Sequence, residues 1–346
     1  MSSPRLSSVS LATLAKGINV PGYDRTKLTP GIVHLGIGAF HRAHMAVYVD
    51  DLLGKDPSWG IVGASLRRPD TKEALEPQDG LYTIAVRDAE GTHPRVIGSI
   101  LKVMDANNER EELLALMADP AIRIVSLTVT EKGYCHDPAT GELDQKHADI
   151  VHDLNNPTAP KSAPGMLVEA LARRMAAGVA PFTVMSCDNL PSNGETAKRI
   201  VTAFAALRDA ELGEWVKSVA FPSTMVDRIV PSTTDADRDE VAGLIGAEDA
   251  WPIMTEPFTQ WVIEDHFPSG RPAFETAGAQ LVKDVEPFEL MKLRMLNGSH
   301  STMAYAGYLG GYDYIAEVMG DAAYVKLIHG LMTEEAMPTL DMPGVD

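Results

Sequence analysis

Apolar runs of strand length alternate with helical periods along most of the chain. Residues 31–37 form a nearly continuous apolar run, followed by a glycine turn, a helical stretch over 39–53 and a second apolar run over 59–66. Strand, glycine turn, helix and strand in that order open a dinucleotide-binding fold. Residues 81–88 and 95–100 alternate as antiparallel strands do, with 89–94 between them. A helix over 107–118 then precedes a buried strand over 122–128. Further on the pattern predicts a helix over 164–178, a strand over 182–186, and a helix over 195–210 capped by Asn193. A strand over 220–230, a helix over 235–246 and strands over 260–267 and 279–285 follow. From Pro287 every segment has helical period: 287–308, 312–319 and 321–335, with Pro338 ending the last. Residues 1–29 are a leading segment, and the polar, Pro- and Asn-rich stretch 135–163 is a surface excursion or active-site flap. The expected architecture is α/β: a Rossmann-type doubly wound sheet with extra antiparallel strands over 1–284, then an all-helical second domain beginning at 285 and reaching 346.

Composition narrows the partners. A length of 346 residues accommodates two domains, and 45% hydrophobic with 6% aromatic residues suits a soluble α/β enzyme. A formal charge of −18 argues against nucleic acid or an anionic membrane, so an anionic substrate needs a local basic site. The two cysteines, Cys135 and Cys187, form no Cys-x-x-Cys and are expected as small buried thiols, with no zinc cluster. There is no leading apolar segment and no run of 18 apolar residues, so the expectation is a cytoplasmic protein.

Candidate chemistry collects at predicted strand ends. The turn reads Gly36-x-Gly38-x-x-His41, lacking the third glycine of the usual fingerprint. Its first two glycines suit a tight turn and close approach to a pyrophosphate, and Arg42 is placed to reach phosphate; His41 and His44 are expected in a structural role, on the helix surface or in packing. At the end of the second strand, Leu66-Arg-Arg-Pro-Asp70 offers Asp70 to a ribose hydroxyl and Arg67 and Arg68 to a 2′-phosphate. Glu131 follows one strand, Asp188 and Asn189 another, and Asp227 with Arg228 a third, where they are either an ion pair or site residues. The run Glu289–His300 carries Glu289, Lys292, Asn297 and His300 on a stretch whose Leu293, Met295 and Leu296 make it too apolar for a surface helix. At about 100° per residue, Asn297 lies roughly 140° round from Lys292, His300 roughly 80° and Glu289 roughly 60°. Taken alone, the run reads first as a snorkelling lysine beside a satisfied histidine.

The turn Gly36-Ile-Gly-Ala-Phe-His-Arg-Ala-His44, the stretch Ser186-Cys-Asp-Asn-Leu-Pro-Ser-Asn-Gly194, Thr224-Met-Val-Asp-Arg228 and the Lys292/Asn297/His300 run together resemble the mannitol dehydrogenase family of polyol-specific long-chain dehydrogenases. The resemblance runs from about residue 30 to the end of the chain. It implies NAD as cofactor, with NADP left open, bound through Gly36, Gly38, Ala39, Phe40, Arg42, Arg67 and Asp70. It implies Lys292 as general acid/base, Asn189 and Asn297 as donors that polarise the substrate oxygen, and His300 as a substrate-positioning group. Asp227, Glu131, Glu289 and Arg228 take supporting places. Family members continue past the position of Asp346, so the resemblance also implies further helices and makes the second domain look incomplete.

The expected reaction is hydride transfer between NAD(H) and a secondary alcohol of a polyol or sugar acid, on the mannitol/fructose or mannonate/fructuronate pattern. With no zinc ligand set, a side chain must be the base. A lysine with its ordinary value near 10.4 is uncharged in only about one molecule in 10³ at pH 7, so desolvation beside the nicotinamide cation has to lower it. For the carboxylate of a sugar acid, Arg228 and Lys132 are the candidate cations. The pair Tyr23-x-x-x-Lys27 has the spacing of short-chain dehydrogenases but precedes the nucleotide turn, and is a coincidence. Two other readings stay open: an S-adenosylmethionine-dependent methyltransferase, which leaves the Lys292 run unexplained, and a non-catalytic nucleotide-binding sensor.

Overall fold

Strand β1 (Pro30–Leu35) is apolar towards both faces, with Ile32, Val33 and Leu35 fully buried. Such a strand is stable only inside a sheet covered on both sides. In the computed structural model, which describes residues 4–341, it is the middle strand of five. The turn after β1 leads into α1 (Ala39–Ala43) and α2 (Met45–Asp50), then β2 (Gly60–Ser65). The single helix expected over 39–53 is thus broken at His44, whose ring lies in a cluster with Phe40, Tyr48 and Trp261 and is bonded through Nε2 to the Gln260 carbonyl at 2.9 Å. Next come α3 (Asp70–Leu75), β3 (Tyr82–Asp88), β4 (Gly91–Ile97) and β5 (Ile100–Asp105).

The pattern merged β4 with β5. Only Gly98 and Ser99 separate them, yet β4 pairs antiparallel with β3 while β5 leaves for the main sheet beside β2. After α4 (Arg110–Ala118) the chain adds β6 (Ile124–Leu127), α5 (Ala148–Asn155), α6 (Ala163–Ala177) and β7 (Thr183–Ser186). The main sheet has the order β5-β2-β1-β6-β7, parallel throughout. One face packs β1, β6 and β7 on α4, α6, α7 (Asn193–Arg208) and α8 (Ala210–Val216) through residues such as Leu113, Leu167, Leu171, Ile200 and Phe204. The other face packs Ile32, Ile61 and Ile124 on α2, β3 and the buried Trp261.

Two small sheets complete this unit. β8 (Thr224–Asp227) pairs antiparallel with β10 (Gln260–Glu264), which pairs with β11 (Gln280–Val282). β9 (Ile253–Thr255), reached after α9 (Asp235–Ile245), joins β3. The expected doubly wound sheet with added antiparallel strands is therefore present.

The chain divides into two compact units, Met1–Val282 and Lys283–Asp346. The second is helical: α10 (Glu286–Met291), a π-helical segment Lys292–Asn297, α11 (Gly298–Leu309), α12 (Ile315–Val318), α13 (Ala322–Gly330) and a second π-helical segment Leu331–Ala336. Gly307 lets Val318 approach closely, and Tyr324 donates to the Ala306 carbonyl at 3.0 Å. The first π segment corrects the angular reckoning made at 100° per residue. Its i→i+5 bonds widen the turn, so residues five apart return towards the same side. Lys292 and Asn297 are its first and last residues. The run is also less covered than its composition suggests: Leu293 is 54% and Leu296 49% exposed.

Candidate active site

The sheet order reverses at β1: the chain runs outward through β2 and β5, then returns to lay β6 and β7 on the other side. Connections diverge there, leaving a crevice at the carboxyl ends of β1 and β6. The structure has a cavity of about 720 Å³ at this place, walled by Gly36–Gly38, Ser65–Arg68, Asp70, Asn107, Thr128–Thr130, Lys132 and Lys161 among others. Gly36 has φ +93°, and a Cβ there would run into the Thr128 carbonyl, so this turn requires glycine.

A buried hydrogen-bonded chain holds the turn against β6. The Thr128 hydroxyl donates to the Gly36 carbonyl at 2.8 Å, so its oxygen accepts from Nε2–H of His34, also at 2.8 Å. Nδ1 of His34 is then the acceptor for the Ser126 hydroxyl at 2.8 Å. Burial pushes His34 down to about 3, which keeps it neutral in this tautomer. His41 stacks flat on His34, centroids 3.5 Å apart. Where the usual fingerprint has a glycine so that helix and strand can close, two parallel rings fill the gap. Of the two structural roles open to His41 and His44, helix surface or packing, both take packing: each is buried.

Arg42 does not reach the cavity. It is fully buried, donates from Nη1 to the Trp251 carbonyl at 2.7 Å, and lies over the Tyr82 and Trp251 rings. Burial lowers it to about 10. The expected phosphate contact from Arg42 is therefore withdrawn: the side chain points into the core, between rings that the linear pattern could not bring next to it. Ala39 and Phe40 are not among the described residues of the cavity wall, and Phe40 stacks on His44. Arg67, Arg68 and Asp70 do line the cavity, although Asp70 begins α3 instead of ending β2 and accepts from the Thr71 amide at 3.1 Å.

The other strand ends carry the remaining candidates of the first unit. Glu131 opens a short 3-10 helix after β6, with an exposed carboxylate 3.8 Å from Nε2 of His136. Asn189, exposed, follows β7. Its neighbour Asp188, grouped with it among the strand-end candidates, is not part of the cavity wall. That carboxylate is buried, and both of its oxygens accept bonds from the segment after β6: Val129 N at 3.1 Å, Thr130 N at 2.8 Å and the Tyr134 hydroxyl at 2.8 Å. Burial raises it, against the pull of these donors. Asn193, expected as a helix cap, is the first residue of α7 and a buried strut: its Nδ2 donates to the Asp188 and Thr224 carbonyls and its Oδ1 accepts from Thr224 N.

Asp227 ends β8. Arg228 is committed elsewhere, donating to the Ala43 carbonyl at 2.6 Å and the Glu256 carbonyl at 3.1 Å. Of the two cations considered for a substrate carboxylate, Lys132 is the one on the cavity wall. Both cysteines are buried and free. Tyr23 donates to Asp50 at 2.5 Å.

In the second unit Glu289, Lys292, Asn297 and His300 lie on one continuous helical stretch spanning α10, the π segment and the start of α11, with His300 exposed. The sequence pattern did not point to the Ser126–His34–Thr128 chain or to the Asp188–Thr130 contact. A histidine in the middle of an apolar strand was the one available signal for the first. No helix among the described residues is long and apolar enough to cross a membrane.

Comparison with known proteins agrees with this arrangement. A family profile described as the mannitol dehydrogenase Rossmann domain matches residues 30–276, and one described as the mannitol dehydrogenase C-terminal domain matches residues 284–346. The chain is 50% identical over 337 residues to the uncharacterized oxidoreductase YdfI of Escherichia coli strain K12, covering 96% of this chain and 69% of that protein. It is 51% identical over 333 residues to D-mannonate oxidoreductase of the same organism, covering 94% and 68%. Among solved structures, Pseudomonas fluorescens mannitol 2-dehydrogenase in a ternary complex with NAD and D-mannitol superimposes with a TM-score of 0.91 at 44% identity, over 99% of this chain and 71% of that one. With the glycine turn at the switch point of a parallel sheet and both profiles matching in order, the chain belongs to the mannitol dehydrogenase family.

Proposed function

We propose that this chain is an NAD-dependent oxidoreductase that interconverts a secondary alcohol of a polyol or sugar acid with the corresponding ketone, using Lys292 as general acid/base and no metal. The observation that carries the reading is the cavity at the β1/β6 switch point, floored by a turn that tolerates only glycine at Gly36. The residues around it fit a dinucleotide: Gly36 and Gly38 leave the backbone bare for a pyrophosphate, and Asp70 stands by for a ribose hydroxyl. NAD bound there supplies the hydride acceptor.

The rest of the chemistry falls to the chain. Lys292, uncharged, takes the hydroxyl proton as the C–H bond breaks and returns it in the reverse direction. The side-chain NH₂ groups of Asn189 and Asn297 are donors for the oxygen as negative charge develops on it. His300 orients a neighbouring hydroxyl, and Asp227, Glu131 and Glu289 support these groups. The π segment favours this division of labour, because it carries Lys292 and Asn297 at its two ends. Such widened turns are frequent at functional sites.

The test is a fluorescence titration with NADH, followed by turnover with fructose and fructuronate. Saturable quenching plus oxidation of NADH by one ketone is the expected result. Binding without turnover of any polyol, ketose or sugar acid leaves a nucleotide sensor; no binding at all removes the proposal.

A further inference from the structure

The residue with the least ordinary backbone in the nucleotide cavity is Thr130. Its φ of +63° and ψ of 166° lie in a region that is nearly reserved for glycine, and its side chain is β-branched. A residue stays in such a conformation only when its surroundings impose it. The groups that hold Thr130 are Gly133 N, on its carbonyl at 2.9 Å, and, on its amide, the carboxylate of Asp188. Oδ1 accepts from Thr130 N at 2.8 Å, while Oδ2 accepts from Val129 N at 3.1 Å and from the Tyr134 hydroxyl at 2.8 Å. Tyr134 is itself fixed by the Ser186 hydroxyl at 2.5 Å, and the Asp188 carbonyl is held by Asn193, which also grips Thr224. The carboxylate is thus anchored to β7 and β8 and pulls two consecutive amides of the β6 segment towards itself.

We propose that Asp188 is a positioning residue for the reaction: by holding the Val129 and Thr130 amides it forces the chain through a glycine-like conformation, which sets the cavity wall at Thr128–Thr130 and aims the Glu131–Lys132 segment. The reach of the effect follows from geometry. Val129, Thr130 and Lys132 all wall the cavity, and Glu131 opens the 3-10 helix whose last residue, Tyr134, closes the same clamp. This inference rests on the cavity being the NAD site.

The experiment is a four-member cycle: the unmodified chain, Asp188→Asn, Thr130→Gly and the double variant. Asparagine replaces one acceptor oxygen by a donor, so at least one amide loses its partner and the chain can leave the strained conformation. Glycine adopts that conformation without help. Asp188→Asn is expected to weaken NADH binding roughly tenfold and to lower Tm, and Thr130→Gly in the Asp188→Asn background to recover most of both. A role in packing alone predicts a lower Tm that Thr130→Gly does not repair. Unchanged NADH affinity in Asp188→Asn, or a double variant no better than the single, overturns the proposal. If the unmodified chain does not bind NADH, the functional reading is what fails, and recovery of Tm in the double variant still decides whether Asp188 imposes the Thr130 backbone.

Discussion

A lysine amine becomes a base only by giving up its proton at a pH where its ordinary value keeps it charged, so most of the proposed chemistry depends on Lys292. Lys292→Ala is expected to lower kcat/KM by about 10²–10³ while the NADH dissociation constant barely moves, as for loss of an acid/base group not used in cofactor binding. Steady-state kinetics beside the NADH titration checks it, and retained turnover removes Lys292 from the mechanism. Single residues also show where sequence reasoning worked and where it stopped. His41 in place of a fingerprint glycine was legible as a structural residue that excludes the usual close helix–strand contact, with surface and packing both open to it. That it stacks on His34 was not legible, because the strand's own period says only that His34 is buried. Arg42 shows the opposite error. A cation just after a glycine turn suggested phosphate, but Tyr82 and Trp251, far along the chain, provide the ring faces and carbonyl that draw it inward.

Elements were most legible where one face or both faces were uniformly apolar, as in β1, β2 and α6, and least where two elements abut. β4 and β5 merged because Gly98 and Ser99 do not interrupt the alternation. The π segment at Lys292–Asn297 was invisible for another reason: its side chains read equally well as α-helix, and only the hydrogen-bond ladder distinguishes the two. One contact between elements carries a pH prediction. Glu109, at the start of α4, accepts from Lys72 of α3 at 2.6 Å and from the Asp105 amide that ends β5 at 2.8 Å, with Lys102 3.3 Å away. Burial pushes its carboxyl up, but the Lys72, Asp105 and Lys102 contacts outweigh that and hold it at about 2 against an ordinary 4.5. A depressed carboxylate contributes stability that is fully present above its unfolded value and is lost as pH falls through the folded one. Glu109→Gln is therefore expected to cost about 1 kcal/mol at pH 7. Urea unfolding at a series of pH values should show the gap to the unmodified chain narrowing below 4.5 and closing near 2. A gap independent of pH sinks the assignment of that stability to charge.

The molecule as a whole carries a formal charge of −18, and a field of that sign repels an anionic substrate unless local cations compensate. At saturating NADH, raising salt from about 20 to about 200 mM is expected to lower KM for fructuronate roughly twofold by screening, and to leave KM for fructose unchanged. A KM for fructuronate that rises with salt would mean that cations near the site, Lys132 first among them, dominate the field. At this scale the linear chain specified a great deal. Apolar runs and their periods dictated a parallel α/β unit followed by helices, and separated short motifs in the right order pointed to the family. Periodicity can do this because it records which face of each element is buried. It carries no information about which distant atom a polar group will meet. That β5 sits beside β2, that Arg42 turns towards Trp251, and that Asp188 reaches across from β7 to two amides of the β6 segment are matters of three-dimensional packing. They are settled by hydrogen bonds and ring contacts between residues dozens to hundreds of positions apart, each of which forms only once the sheet has brought its ends together.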